Sequence, residues 1–246
     1  MDPQRRAGRP CSDALSRLML KGSPPGPAEV EEVRRRIIRW YDEHGDKHLS
    51  WRSAGSGWSV LVASFLLRKT TTVQVVRIYE EFLRRYPTPQ ALLSAKREEV
   101  EELIRPLGLE HQRSSHLTAL AEVLARSFGG QVPCSREKLK ELPGVGDYIA
   151  SEVLLLACGQ PEPLLDRNVI RVIERAFGVK SPKKRPHTDK ALWCFAETLV
   201  PQNPEDARKF SLGMLDLGRK ICTARHPKCT VCPIRELCRF YKRPRA

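Results

Sequence analysis

Residues 142–150 read LPGVGDYIA, and the organisation of the chain follows from them. Two glycines around one apolar residue allow a tight turn, and the amides of Gly144 and Gly146 then open the next helix with no side chain in the way. Amides exposed at a helix start receive a phosphate. Between an expected helix over 136–141 and another over 148–159, the segment reads as a helix-hairpin-helix. Gly144, Val145 and Gly146 become candidate contacts to one DNA strand; an ordinary glycine turn in a helical bundle is the competing structural reading.

Outward from this turn the apolar spacing stays helical. Val30, Val33, Ile37 and Trp40 mark one face of a helix over 28–45, and further periodic segments run over 57–67, 71–86, 97–105, 113–128, 167–177, 188–200 and 205–221. No alternating strand pattern interrupts them, so the fold class is all-α. Residues 1–27 are polar and Pro-rich and read as a disordered leader without a signal peptide. A formal charge of +14 over 246 residues, spread along the chain, calls for a polyanionic partner, nucleic acid first. No apolar run reaches spanning length and no helix carries a sustained cationic face, which excludes a membrane role. Cys11, Cys134, Cys158 and Cys194 are scattered and are expected to be free thiols in a reducing cytoplasm.

The other four cysteines are clustered as Cys222-x6-Cys229-x2-Cys232-x5-Cys238, within seventeen residues. Four thiolates so close can surround one metal centre; spacing alone leaves iron–sulfur, zinc and a disulfide pair open. Asp166, in PLLDRNVIRV, stands twenty residues beyond Gly146 at a helix start, where the structural reading is an N-cap.

A Gly-rich hairpin, a following Asp and a four-cysteine loop in this order resemble the helix-hairpin-helix iron–sulfur DNA glycosylases, the endonuclease III and MutY superfamily. WYDEHGDKHLSW (40–51) looks like its adenine-mismatch branch. LLRKTT (66–71), GLEHQR (108–113), ALWCFAETLVP (191–201) and CTARHPKCTVCPIRELC (222–238) look most like the Mig-type thymine-mismatch branch. The resemblance implies a 4Fe-4S cluster on Cys222, Cys229, Cys232 and Cys238. It implies a cluster lobe from 28–53 plus 161–246 and a six-helix lobe from 54–160, in a monomer acting on double-stranded DNA and followed by an abasic-site endonuclease, cytoplasmic and nucleoid-associated.

It also implies roles for single residues. Asp166 would be the catalytic carboxylate beside C1′, stabilising an oxocarbenium-like sugar. Tyr148 stands where bifunctional relatives carry a lysine; a phenol forms no imine, so the chemistry expected is monofunctional hydrolysis, with Tyr148 lining the base pocket. Leu109 would fill the gap left by the flipped base, and Arg68 and Lys69 would meet its orphaned partner. Ser64 departs from the pattern, because both mismatch branches carry a glutamate there. Together with the eight residues that follow Cys238, where the adenine branch continues into a further domain, this argues against adenine. The expected substrate is a mismatched or modified pyrimidine, T or U opposite G. A pocket widened at Ser64 for a bulky modified cytosine of phage DNA, and a DNA-binding damage sensor without catalysis, are the alternatives.

Overall fold

The computed structural model describes residues 18–20, 23–53 and 55–242, so the expected leader lies mostly outside the described residues. The chain divides into two compact units, one comprising the residues up to Gly45 together with Pro161 onward, the other Asp46–Gln160. The first unit opens with β1 (Met19–Leu20) and α1 (Pro27–His44). The second holds α2 (Gly57–Leu66), α3 (Thr72–Arg85), α4 (Pro89–Leu93), α5 (Arg97–Ile104), α6 (Glu110–Phe128), α7 (Arg136–Glu141) and α8 (Asp147–Leu156). The chain then returns to the first unit with α9 (Arg167–Phe177), β2 (Val179–Lys180), α10 (Lys190–Leu199), α11 (Pro204–Lys220) and the short α12 (Arg239–Lys242). The fold is all-α. Its one small exception among the described residues is the two-residue antiparallel pairing of β1 with β2, which draws Met19 and Leu20 out of the expected leader.

Local chemistry explains the helices. Proline in the first turn and Glu29 start α1, and Val33, Ile37 and Trp40 bury its inner stripe. Helix α11 crosses α1 closely at Gly213, where a Cβ would stand 2.8 Å from Cγ2 of Ile37. In the second unit a capping box of Thr71 and Gln74 opens α3. Phe65, Phe82, Leu117, Leu120, Leu124 and Leu139 are fully enclosed in its core. The resemblance implied six helices there, and seven are present among the described residues. The additional one, α4, follows from the Thr88 cap and from Pro89 in the first turn; five residues are too few to reveal a helical period. Helix α8 stops at Leu156, short of 159, where Gln160 N–H reaches back to the Leu154 carbonyl and Gly159 takes a left-handed φ of 64°.

The scattered cysteines correct the sequence reading. Cys134 and Cys158 are joined in a disulfide, and Cys194 is disulfide-bonded as well; Cys11 lies outside the described residues. Spacing carries no pairing information, so the bond was invisible in the sequence. Its position is informative: Cys134 precedes α7 and Cys158 follows α8, so the bridge ties together the two ends of the helix-hairpin-helix, 24 residues apart in sequence. A loop of that length gives about 3 kcal/mol from restriction of the unfolded chain. The double variant Cys134→Ser/Cys158→Ser is therefore expected to melt on the order of 10 °C lower, measured by calorimetry, with the isolated Cys222–Cys238 loop unaffected. An unchanged Tm would mean that the bridge adds nothing to stability.

Candidate functional site

In the second unit the hairpin turns at Gly144, whose φ of 76° only glycine adopts without strain. A Cβ there would also crowd Phe65 at 3.2 Å and Arg68 at 3.3 Å. Gly146 takes the N-cap position of α8 with no side-chain cap, and both glycines are exposed. Val145 between them is buried and its N–H donates to the Leu142 carbonyl at 3.1 Å, so the turn is anchored by its apolar residue while the two glycines are exposed. The Asp147 carboxylate beside them is taken up by Lys140 at 2.7 Å.

Two further turns are linked to this hairpin, one through Arg68 and the other through Arg113. Among the described residues only Lys69 (φ 53°) and Leu109 (φ 57°) are non-glycine residues with left-handed backbone, and both are positions expected to touch DNA. Leucine pays a steric penalty in that conformation and here remains 45% exposed, so nothing in the fold's core accounts for its placement. Arg68 is no solvated surface cation: its guanidinium lies 4.0 Å over the Phe65 ring and donates to the Gly144 carbonyl. Burial lowers its pKa.

Arg113 joins these turns, and sequence reasoning missed it. It is buried on α6, and its guanidinium donates to the carbonyls of Gly108 (2.9 Å), Phe65 (2.7 Å), Leu66 (3.1 Å) and Arg68. One side chain thus fixes both the turn carrying Arg68 and Lys69 and the turn carrying Leu109. It is the last residue of GLEHQR, but no periodicity indicates that an arginine in a basic chain turns inward.

Ser64 and Tyr148 also belong to this unit. Ser64 Oγ lies 2.9 Å from the Val60 carbonyl and 2.6 Å from Oε2 of Glu152, and both Ser64 and Glu152 are buried. The space that serine was expected to open is therefore met by a carboxyl from α8. Tyr148, half-buried, and Glu152 stand four residues apart on that helix and share a face. Glu152 interrupts the apolar run YIASEVLLLA, a signal that only the facing helix makes meaningful.

Asp166 lies in the first unit. It is the N-cap of α9: Oδ1 accepts from the amides of Asn168 and Val169, each at 2.8 Å, and Oδ2 from the Asn168 side chain at 2.6 Å. Asn168 in turn accepts from Arg171 (3.0 Å), which donates to the carbonyls of Cys222 and Gly218, both at 2.7 Å. Gly218 is needed for this approach, since a Cβ there would meet the Asn168 carbonyl oxygen at 2.8 Å. A continuous hydrogen-bonded path therefore links Asp166 to the start of the cysteine loop.

Cys222, Cys229, Cys232 and Cys238 are all unpaired in disulfides and line one cavity with Arg175, Ile221, Pro227 and Tyr241. No three His, Cys, Asp or Glu side chains among the described residues are grouped to hold a single ion, while the four thiols share this one cavity. Burial pushes the Cys232 thiol up to about 12, and the neighbouring cysteines add to the effect. Arg175 donates to Sγ of Cys222 at 3.4 Å and to the Thr223 and Ala224 carbonyls, a donor set suited to thiolates. The residues fit a 4Fe-4S cluster, which supplies the cross-link between the four cysteines.

Fold and site together define a helix-hairpin-helix protein with an iron–sulfur loop. The chain belongs to the HhH-GPD superfamily of base excision DNA repair proteins, whose family model matches residues 62–197, and the model for the iron–sulfur binding domain of endonuclease III matches residues 222–238. It is 64% identical over 212 residues to a thymine-DNA glycosylase of Aeropyrum pernix, covering 86% of this chain and 95% of the relative. It is 59% identical to a thymine/uracil-DNA glycosylase of Pyrobaculum aerophilum, covering 95% and 98%. A solved thermostable thymine-DNA glycosylase superposes with a TM-score of 0.81 at 34% identity, over 87% of this chain and 97% of that one. A non-covalent endonuclease III–DNA complex gives 0.72 at 25%, over 89% and 97%.

Proposed function

We propose that this chain is a monofunctional DNA glycosylase that hydrolyses the N-glycosidic bond of thymine or uracil opposite guanine in double-stranded DNA, leaving an abasic site. The observation that carries this reading is the 64% identity to a thymine-DNA glycosylase across nearly its full length. A bulky modified cytosine and a catalytically silent sensor are not favoured by relatives of these names, nor by a Glu152 that occupies the space beside Ser64.

Each residue has a part. The hairpin amides of Gly144 and Gly146, in a turn that Val145 anchors, hold a backbone phosphate. Leu109 enters the stack where the pyrimidine has left it, and Arg68 and Lys69 meet the orphaned guanine. Ser64 and Tyr148 line the pocket that receives the base, and Tyr148 offers no amine to C1′, so water completes the reaction. The Asp166 carboxylate stabilises positive charge developing on the sugar. The cluster on Cys222, Cys229, Cys232 and Cys238 is structural, within a lobe of 28–53 plus 161–246, while 54–160 forms the hairpin lobe. The protein works as a monomer on nucleoid DNA in the cytoplasm and hands its product to an abasic-site endonuclease. Among the described residues no helix is long and apolar enough to cross a membrane. Disulfides in a protein that acts on genomic DNA match the usage of heat-adapted cells, and the solved neighbour is a thermostable enzyme.

The test is a panel of duplexes with T, U or hydroxymethylcytosine opposite G, and A opposite G, followed by alkaline cleavage. Thymine and uracil are expected to be released, with no strand cleavage before alkali. Release of adenine, or strand scission without alkali, would refute the reading.

A further inference from the structure

A serine hydroxyl has one proton. Ser64 Oγ stands within hydrogen-bond distance of the Val60 carbonyl (2.9 Å), which can only accept, and of Glu152 Oε2 (2.6 Å). Two full hydrogen bonds, neither sharing its proton, are made at once when the proton in the second comes from Glu152. The carboxyl then donates to Ser64, and Ser64 donates to Val60. If Glu152 were ionised, the two oxygens would compete for one hydrogen and both bonds would be weakened. Glu152 is 8% exposed and Ser64 7% exposed. Four residues before Glu152 on α8 is Tyr148, on the same face.

We propose that Glu152 is held as a neutral carboxylic acid and delivers its proton to the departing pyrimidine, supplying from α8 the acid that position 64 lacks. This rests on the reading that Ser64 and Tyr148 line the base pocket. As the C1′–N1 bond breaks, its electron pair goes to the base. The carboxyl proton of Glu152 moves to a carbonyl oxygen of that base, which leaves neutral, and Glu152 becomes a carboxylate. The Ser64 hydroxyl turns from Val60 and donates to it. Water adds to C1′ and releases a proton to solvent, and Glu152 regains one from solvent when the product has left. Serine at position 64 is then a hydroxyl that can bond to both forms of the acid, by accepting from one and donating to the other.

The experiment compares uracil with 5-fluorouracil, each opposite guanine, in single-turnover release. The two bases are close in size, and fluorine lets the pyrimidine leave as an anion without help. In Glu152→Gln, which keeps the shape and the hydrogen bond but transfers no proton, uracil release is expected to fall about 100-fold and 5-fluorouracil release less than about 10-fold. Equal losses on the two bases, or none, would overturn the role. Should the variant fail to fold, the wild-type protein decides: a 5-fluorouracil to uracil ratio within about 10 supports proton delivery, and one near 100 contradicts it. Wild-type protein that releases neither uracil nor thymine ends the glycosylase reading itself, whereas normal release with equal losses in Glu152→Gln ends only this assignment.

Discussion

Asp166→Asn is expected to lose base release almost completely while DNA binding and fold persist. Asparagine keeps an oxygen for the Asn168 and Val169 amides, and it caps helices as well as aspartate does, so α9 stays in place. The Asn168 amide, now facing another amide, must turn, at a cost of about 1 kcal/mol. The negative charge that the proposed mechanism sets beside the sugar is lost. Deleting one strong electrostatic contact to a transition state costs about 10²–10³ in rate, or ~2.7–4 kcal/mol. The measurement is single-turnover release of thymine from a G·T duplex beside a binding isotherm and a melt. A rate within about tenfold of wild type would remove Asp166 from the chemistry.

Cys229→Ser is expected to have a larger effect through folding. Between Cys222 and Lys242 only Ile234 is buried among the described residues, so this segment has no apolar core of its own. Its backbone is instead held by arginines of other elements: Arg171 on Cys222, Arg175 on Thr223 and Ala224, Arg36 on Pro233. Those bonds need the loop already closed, and closing it is the work of the cluster. Loss of one thiolate ligand therefore releases the segment and with it the Arg171–Asn168–Asp166 path. The expected result is iron content near zero, reduced helicity by circular dichroism and no base release. An iron-free variant that remains folded and active would show that the cluster is dispensable.

What the sequence disclosed was whatever is local in it. The hairpin, the cysteine loop and the N-cap at Asp166 are fixed by residues within a few positions of one another, and each was legible. The long helices were legible from their apolar stripes. Helix α6 was placed three residues late because Leu109, a left-handed N-cap position with no capping side chain, gives no start signal. The Cys134–Cys158 bridge, the inward Arg113 and the Ser64–Glu152 pair each depend on which element faces which, and no spacing along the chain encodes that. The departure at Ser64 illustrates the point: read alone it is a missing carboxyl group, and beside α8 it is the partner of one.

Arg113 has an evolutionary consequence. The turn at Leu109, the turn at Arg68 and Lys69, and through Arg68 the hairpin carbonyl of Gly144 all hang from a single buried guanidinium. Three turns that look independent along the chain are therefore positioned together. A change in any one turn shifts the setting of the other two, so changes in the proposed mismatch preference should come as coordinated sets of substitutions around Arg113.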